Sequence, residues 1–316
     1  MLTRRHIRIK VMQSVYAYNQ SINRELETQE KFLNYSIEQM SDLYSLLLRL
    51  IVSVRDQAQE YMERSSQKFL ATETEKNPSL NFINNKIVGY IADNTTFNEL
   101  IEKRKLDYWS FDSEYVSILF HDLKEKAWYQ EYLDIQKPTL KEDRAFVLQF
   151  YREVVAPNDK LYDYLEDKRL TWIDDFPIVN TVIVNTLEKI NSKNMTQYLV
   201  PELYKHEDDR DFSVELLRKV ILNEQLLNEE IKGRTPNWDQ DRIAEIDMII
   251  LRMGIAEFLF FPSIPVRATI NEYLEIAKEY STPKSRIFIN GILDKVVKEF
   301  TAQKRLNKVG RGLQEK

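Results

Sequence analysis

At 316 residues with 43% hydrophobic side chains, the chain is long enough for one large domain or two ordinary ones and apolar enough for a packed core. The absence of cysteine excludes disulfides, thiolate nucleophiles and cysteine-ligated zinc. The net charge of −5 is unevenly divided: residues 1–24 hold five Lys or Arg and no acid, residues 280–316 hold nine against three, and the stretch between carries the acidic excess.

Apolar spacings of three and four recur along the chain while glycines number only six, so the expected fold is all-α. A first helix is predicted from the cap Thr3 to about Asn19, with Ile7, Val11, Val15 and Tyr18 on one stripe and Arg4, Arg5 and Arg8 off it as a cationic patch. A long helix follows from about Glu25 to Phe69. Its positions Leu33, Ile37, Met40, Tyr44, Leu47, Ile51, Val54, Ala58 and Tyr61 form a heptad seam, expected to pack on another helix of the chain or on a second copy as a homodimer. Asn77-Pro78 breaks this pattern, and helices then fit about 80–91, 96–104 and 113–132.

Thr139 to Glu142 is a capping box that opens a helix to about Val155. From there the chain resembles itself at an offset of 66 residues: Phe146 meets Phe212, Arg152 meets Arg218, Leu161 meets Leu227, Trp172 meets Trp238, Asp175 meets Asp241 and Ile183 meets Ile249. The pattern predicts a degenerate duplication of a unit made of two helices, a Trp loop and a further helix. Asp239 is the expected cap of a largely buried helix reaching Phe260, and Val266–Glu279 makes another. Thr301–Lys316, with Gly310 and Gly312, is expected to be a basic disordered tail.

The last helix starts at Thr282-Pro283, a good cap followed by proline at the first helical position. A first turn ordinarily favours Asp or Glu, yet this one carries Lys284 and Arg286, which marks a candidate phosphate site. Two solvated charges on a helix end are the plainer explanation. No glycine-rich phosphate loop or nucleophile elbow occurs, His6, His121 and His206 are scattered, and neither a catalytic nor a metal site nor a cofactor is expected. The basic amino terminus lacks an apolar leader core and no run approaches about 18 apolar residues, so a cytoplasmic location is expected.

Two stretches together resemble the bacterial transcription antitermination factor NusB family. The first is R-R-H-I-R-I-K-V-M-Q-S-V-Y, Arg4 to Tyr16; the second is I-N-E-Y-L-E-I-A-K-E-Y, Ile270 to Tyr280, with F-I-N-G-I-L-D-K, Phe288 to Lys295. The resemblance implies a helical bundle in which residues 1–25 and 210–300 form the core, 26–209 is a helical insertion and 301–316 is the tail. It also implies a non-catalytic factor that binds boxA-type single-stranded RNA of ribosomal RNA transcripts with a small-subunit ribosomal protein, NusE, within the transcription elongation complex. Carried over by position, the RNA-binding residues are Arg4, Arg5, Arg8, Tyr16, Lys278, Tyr280, Arg286, Phe288 and Asn290, to which the helix start adds Lys284. Asp239, Asp241, Arg242, Glu245 and Arg252 are assigned to the ribosomal-protein face. His6, Ile9 and Ile287 depart from the family pattern, which otherwise has Arg, an acid and a base at those positions. A different reading of the same chain is a helical protein-interaction scaffold whose basic ends touch ribosomal RNA without sequence preference.

Overall fold

The computed structural model describes residues 1–191, 199–234 and 243–313; the expected cap Asp239 and the loop residues Trp238, Asp241 and Arg242 lie outside them. In chain order the helices are α1 (Arg4–Gln20), α2 (Leu26–Ser66), α3 (Glu73–Lys76), α4 (Lys86–Ala92), α5 (Thr95–Arg104), α6 (Tyr108–Phe111), α7 (Ser113–Lys124) and α8 (Ala127–Leu133). They continue as α9 (Leu140–Phe150), α10 (Asp159–Lys168), α11 (Phe176–Lys189), α12 (Glu207–Leu222), α13 (Glu224–Lys232), α14 (Glu245–Phe260), α15 (Val266–Tyr280) and α16 (Pro283–Ala302). The fold is all-α, and no helix among the described residues is long and apolar enough to cross a membrane.

The chain divides into a middle unit, Glu38–Leu203 with Met1, and a terminal unit, Leu2–Ile37 with Tyr204–Lys316. The expected seam of the long helix is buried from Leu33 to Ala58, with only Tyr61 exposed, so of the two partners expected for it the chain itself covers it. Around its middle the burial extends beyond one stripe: Leu43, Tyr44, Leu46, Leu47, Leu48, Leu50, Ile51 and Val52 are all buried, covering every direction around the axis. Two tryptophans dock on it seven residues apart: the indole N–H of Trp172 donates to the Gln39 carbonyl and that of Trp109 to the Leu46 carbonyl, each at 2.8 Å. Between them the buried Asp42 accepts hydrogen bonds from Arg104 and Arg169.

The Thr139 capping box forms as expected, with Glu142 bonded to the Thr139 backbone N–H at 2.7 Å. Two other expectations shift. Asn85, whose side chain accepts from the Ile87 and Val88 N–H groups, starts α4 five residues later than the apolar spacing from Leu80 implies. The single helix expected over 113–132 divides at Glu125-Lys126 into α7 and α8. That break turns Tyr129 and Tyr132 inward onto Phe82 and Phe146, with the Tyr132 and Phe146 rings stacked at 4.0 Å.

The 66-residue offset reappears in helix order and in burial. Helices α9, α10 and α11 of the middle unit correspond to α12, α13 and α14 of the terminal unit, and α9 packs on α11 as α12 packs on α14. Paired positions are buried in both copies, among them Phe146 and Phe212, Leu165 and Ile231, and Ile183 and Ile249. Even the polar pair Asp143 and Asp209, each 2% exposed, stands at the same place near a helix start. Asp143 accepts from the Tyr132 hydroxyl and the Lys86 backbone N–H, and Asp209 from Arg4.

In the terminal unit α1 packs on α12, α14 and α15, and α14, α15 and α16 pack on one another. Gly254 lets Leu293 of α16 approach α14 closely: a Cβ there would stand 3.0 Å from its side chain. The tail expected to be disordered lies instead against this unit through Leu313. Lys308 donates to the Glu257 and Phe261 carbonyls, so it caps α14, and Arg305 pairs with Glu230 at 2.6 Å. Composition suggested solvated charge, but two of these bases find partners only in the folded terminal unit.

Candidate nucleic-acid interface

Helix α1 begins with a variation on the capping box. Thr3 occupies the cap position, and the residue three further on, ordinarily Glu or Gln, is His6, whose Nδ1 lies 3.3 Å from the Thr3 backbone nitrogen as its acceptor. That bond needs an unprotonated Nδ1. Burial first, and the Arg5 charge second, lower the His6 pKa to about 4, which keeps the ring neutral at physiological pH. A base with a depressed folded-state pKa is stabilising when neutral, so its contribution is present above its ordinary value of 6.5 and is lost as pH falls through about 4. His6→Gln keeps an acceptor that does not titrate there; urea midpoints compared at pH 7 and pH 4 should show the wild type losing more stability than the variant.

The three arginines of the first two turns have different fates. Arg4 donates to Asp209 at 2.9 Å and Arg5 holds Glu272 with two bonds of 2.9 and 3.1 Å; their side chains remain 41% and 36% exposed. Arg8 is 3% exposed and lies flat against Glu257 with bonds of 2.6 and 2.9 Å. Thr269 and Tyr273 hydroxyls donate to the same carboxylate at 3.0 and 2.7 Å, and Arg8 also faces the Phe212 and Tyr273 rings. Arg8 therefore belongs to a buried polar core and cannot present its charge to RNA while that core is closed. Lys10 is buried too, so the expected patch of three arginines reduces to Arg4 and Arg5 at the surface. Tyr16 is exposed but lies eleven residues beyond Arg5, about 16 Å along the helix.

The other basic end follows helix phase. Thr282 accepts from the Ser285 backbone N–H at 3.1 Å and Pro283 takes the first helical position, as the sequence implies. Lys278, Lys284 and Arg286 are exposed, Tyr280 is half-buried, and half-buried Asn290 donates to Asp294 at 3.4 Å. Phe288 is only 7% exposed, on the core stripe with Ser285, Ile289, Ile292 and Val296, so its ring is a packing group and not a stacking platform. Its neighbour Ile287, 76% exposed, takes the outward position.

Helix α15 joins the two ends. Glu272 and Glu275 stand three residues apart on one of its faces; Glu272 holds Arg5 of α1, and Glu275 lies 3.7 Å from Arg286 of α16. The hydrogen bonds to Glu272, then its charge and those of Glu275 and Glu279, raise the Arg5 pKa. The result is a ridge of alternating sign, Arg5, Glu272, Glu275, Arg286, with Lys278 one turn further on. The two arginines of the ridge are held by carboxylates, while Lys278 and Lys284 are exposed and have no ion-pair partner among the described residues.

Of the residues assigned to a protein partner, Asp239, Asp241 and Arg242 lie outside the described residues. Glu245 accepts from Gln20 at 2.6 Å, and Arg252 donates to Glu224 at 2.5 Å while its Nε is buried without a hydrogen-bond partner. Both line a groove of about 670 Å³ between α13 and α14. The Glu257 network is the element that sequence reading missed. Its one signal was a lone carboxylate inside the apolar run Ile255 to Phe260, which calls for a buried base.

A family model described as NusB family matches residues 176–298, from the start of α11 through most of α16; it does not include α1. The transcription antitermination protein NusB of Salinibacter ruber is 42% identical over 104 residues, 33% of this chain and 65% of that protein. The protein of the same name from Chloroherpeton thalassium is 42% identical over 104 residues, 33% of this chain and 49% of its own length. The chain thus spans less than two thirds of these relatives. A solved structure of T. maritima NusB is 28% identical, covers 37% of this chain and 82% of its own, and superposes with a TM-score of 0.30.

Proposed function

We propose that the chain is a NusB-type protein, on the match of its residues 176–298 to the NusB family model and its 42% identity to NusB of Salinibacter ruber, and that it is a non-catalytic, cytoplasmic RNA-binding factor in transcription antitermination. Its ligand in this reading is boxA-type single-stranded RNA of ribosomal RNA transcripts, held with the ribosomal protein NusE in the elongation complex. The observation that carries the reading is the α15 ridge: the two basic ends of the chain, far apart in sequence, meet the same helix through Arg5 on Glu272 and Arg286 beside Glu275. Around it Arg4, Lys278 and Lys284 are exposed to a polyanion. Arg8 and Phe288 support this surface from beneath it, and Arg252 with Glu245 lines the groove offered to the protein partner.

Full-length protein should bind a boxA-like RNA in preference to a scrambled one at physiological salt. Equal competition by the two would instead favour the scaffold with nonspecific contacts. Replacing Lys284 and Arg286 together by Glu should abolish the preference and reduce the salt slope of binding by about 0.7 per lost phosphate contact. Because both side chains are exposed, thermal stability should hold or rise slightly as acids replace bases at a helix start.

A further inference from the structure

We propose that the carboxy-terminal turn Gly310-Arg311-Gly312 supplies a further RNA-phosphate contact, Arg311, to the groove at the start of α1. The proposal rests on the RNA-binding reading above and adds to it a residue from a segment outside the family match.

The turn is built, not loose. Lys308 anchors it by donating to the Glu257 and Phe261 carbonyls at 3.0 and 2.9 Å, the Val309 N–H donates to the Pro262 carbonyl at 3.0 Å, and the Gly312 N–H closes back on the Val309 carbonyl at 2.8 Å. Both neighbours of Arg311 are glycine for backbone reasons. Gly310 adopts φ +53°, and a Cβ at Gly312 would lie 2.0 Å from the Pro262 carbonyl oxygen, an overlap that no small shift relieves. Between two such positions the direction of Arg311 is set by the fold.

That direction is the groove of about 650 Å³ that Arg311 lines with Arg4, Arg5, His6, Pro265 and Glu272. Charge decides what the groove accepts. Arg4 is neutralised by Asp209 and Arg5 by Glu272, whereas Arg311 is exposed and has no ion-pair partner among the described residues. His6 stays neutral, so Arg311 tips the local balance positive, next to two helix starts whose free N–H groups favour the same sign of ligand. The groove includes Arg5 and Glu272, where the α15 ridge begins, so the groove and the ridge form one continuous surface for a single strand.

The test uses full-length protein and a boxA-like single-stranded RNA. Arg311→Ala should weaken binding roughly three- to tenfold and lower the salt slope by about 0.7, with an unchanged melting temperature. Arg311→Lys should retain the slope, and Gly312→Ala, which keeps the arginine in the sequence but displaces the turn that carries it, should reproduce the loss. Unchanged affinity and slope in Arg311→Ala, with the wild type binding RNA, would overturn this contact and leave the wider reading standing. A wild type that binds no single-stranded RNA would overturn both. If Arg311→Ala leaves RNA affinity unchanged but weakens the binding of inorganic phosphate, the turn serves free phosphate and the RNA contact is wrong.

Discussion

Replacing Glu257 by Ala is expected to destabilise the terminal unit by about 3–5 kcal/mol, because it leaves the Arg8 guanidinium charged, dehydrated and unpaired. The carboxylate is fully buried and accepts two hydrogen bonds from Arg8, one from Thr269 and one from Tyr273. Burial alone would lower the Arg8 pKa, but the charge and hydrogen bonds of Glu257 outweigh it and the net shift is upward, so Arg8 stays protonated. Burial and the same carboxylate push the Tyr273 hydroxyl far up, which keeps it a donor. Removing both ends of the pair, Arg8→Met with Glu257→Leu, should recover most of the loss, since apolar side chains of similar volume need no partner. Denaturant unfolding with hydrogen exchange of α14–α16 amides reads the result, and a loss below about 1 kcal/mol would mean that the pair is not desolvated. The RNA reading gains a control from this. Arg8→Ala should reduce RNA binding only as far as it loosens α1, without the change in salt slope that loss of a phosphate contact produces.

In the middle unit the largest effect is expected from Trp172→Ala, about 3–5 kcal/mol. Trp172 is fully buried, packs beneath Arg169 at 5.0 Å, and donates its indole N–H to the Gln39 carbonyl. Its loss opens a cavity against α2 and removes the platform that holds Arg169 toward Asp42. Trp172→Phe keeps much of the packing and deletes the hydrogen bond, so the two variants separate a term of about 1 kcal/mol from the cavity term. The sharper readout is hydrogen exchange, which should show protection lost across Glu38–Ser66 and kept in α14–α16. Uniform loss in both units would refute a local role for this side chain.

Much of the architecture was already present as pattern. Apolar spacing, the Thr139 and Thr282 caps and the scarcity of glycine specify helices, since periodicity and capping act within a few residues of chain. The 66-residue echo was legible for the same reason: it is carried by the spacing of apolar positions that the fold buries in both segments. The basic excess at the two ends was readable from charge alone.

Only tertiary structure decided what each charge does. Arg4, Arg5 and Arg8 are alike in sequence, yet one meets a buried acid at the surface, one a half-exposed acid and one a carboxylate sealed in the core, because the partners are 205, 267 and 249 residues away. The same holds for the Leu43–Val52 stretch, whose all-round burial needs neighbours that a heptad count does not see, and for Phe288, which helix phase turns inward. His6 departs from the arginine pattern but takes the acceptor's place in a cap. The tail read as disordered from composition is held by carbonyls at the end of α14. For the three arginines and the tail the deciding term is a hydrogen bond or ion pair between groups far apart in the chain, and for Arg8 it lies in a dehydrated site, where its strength depends on which groups the fold brings together.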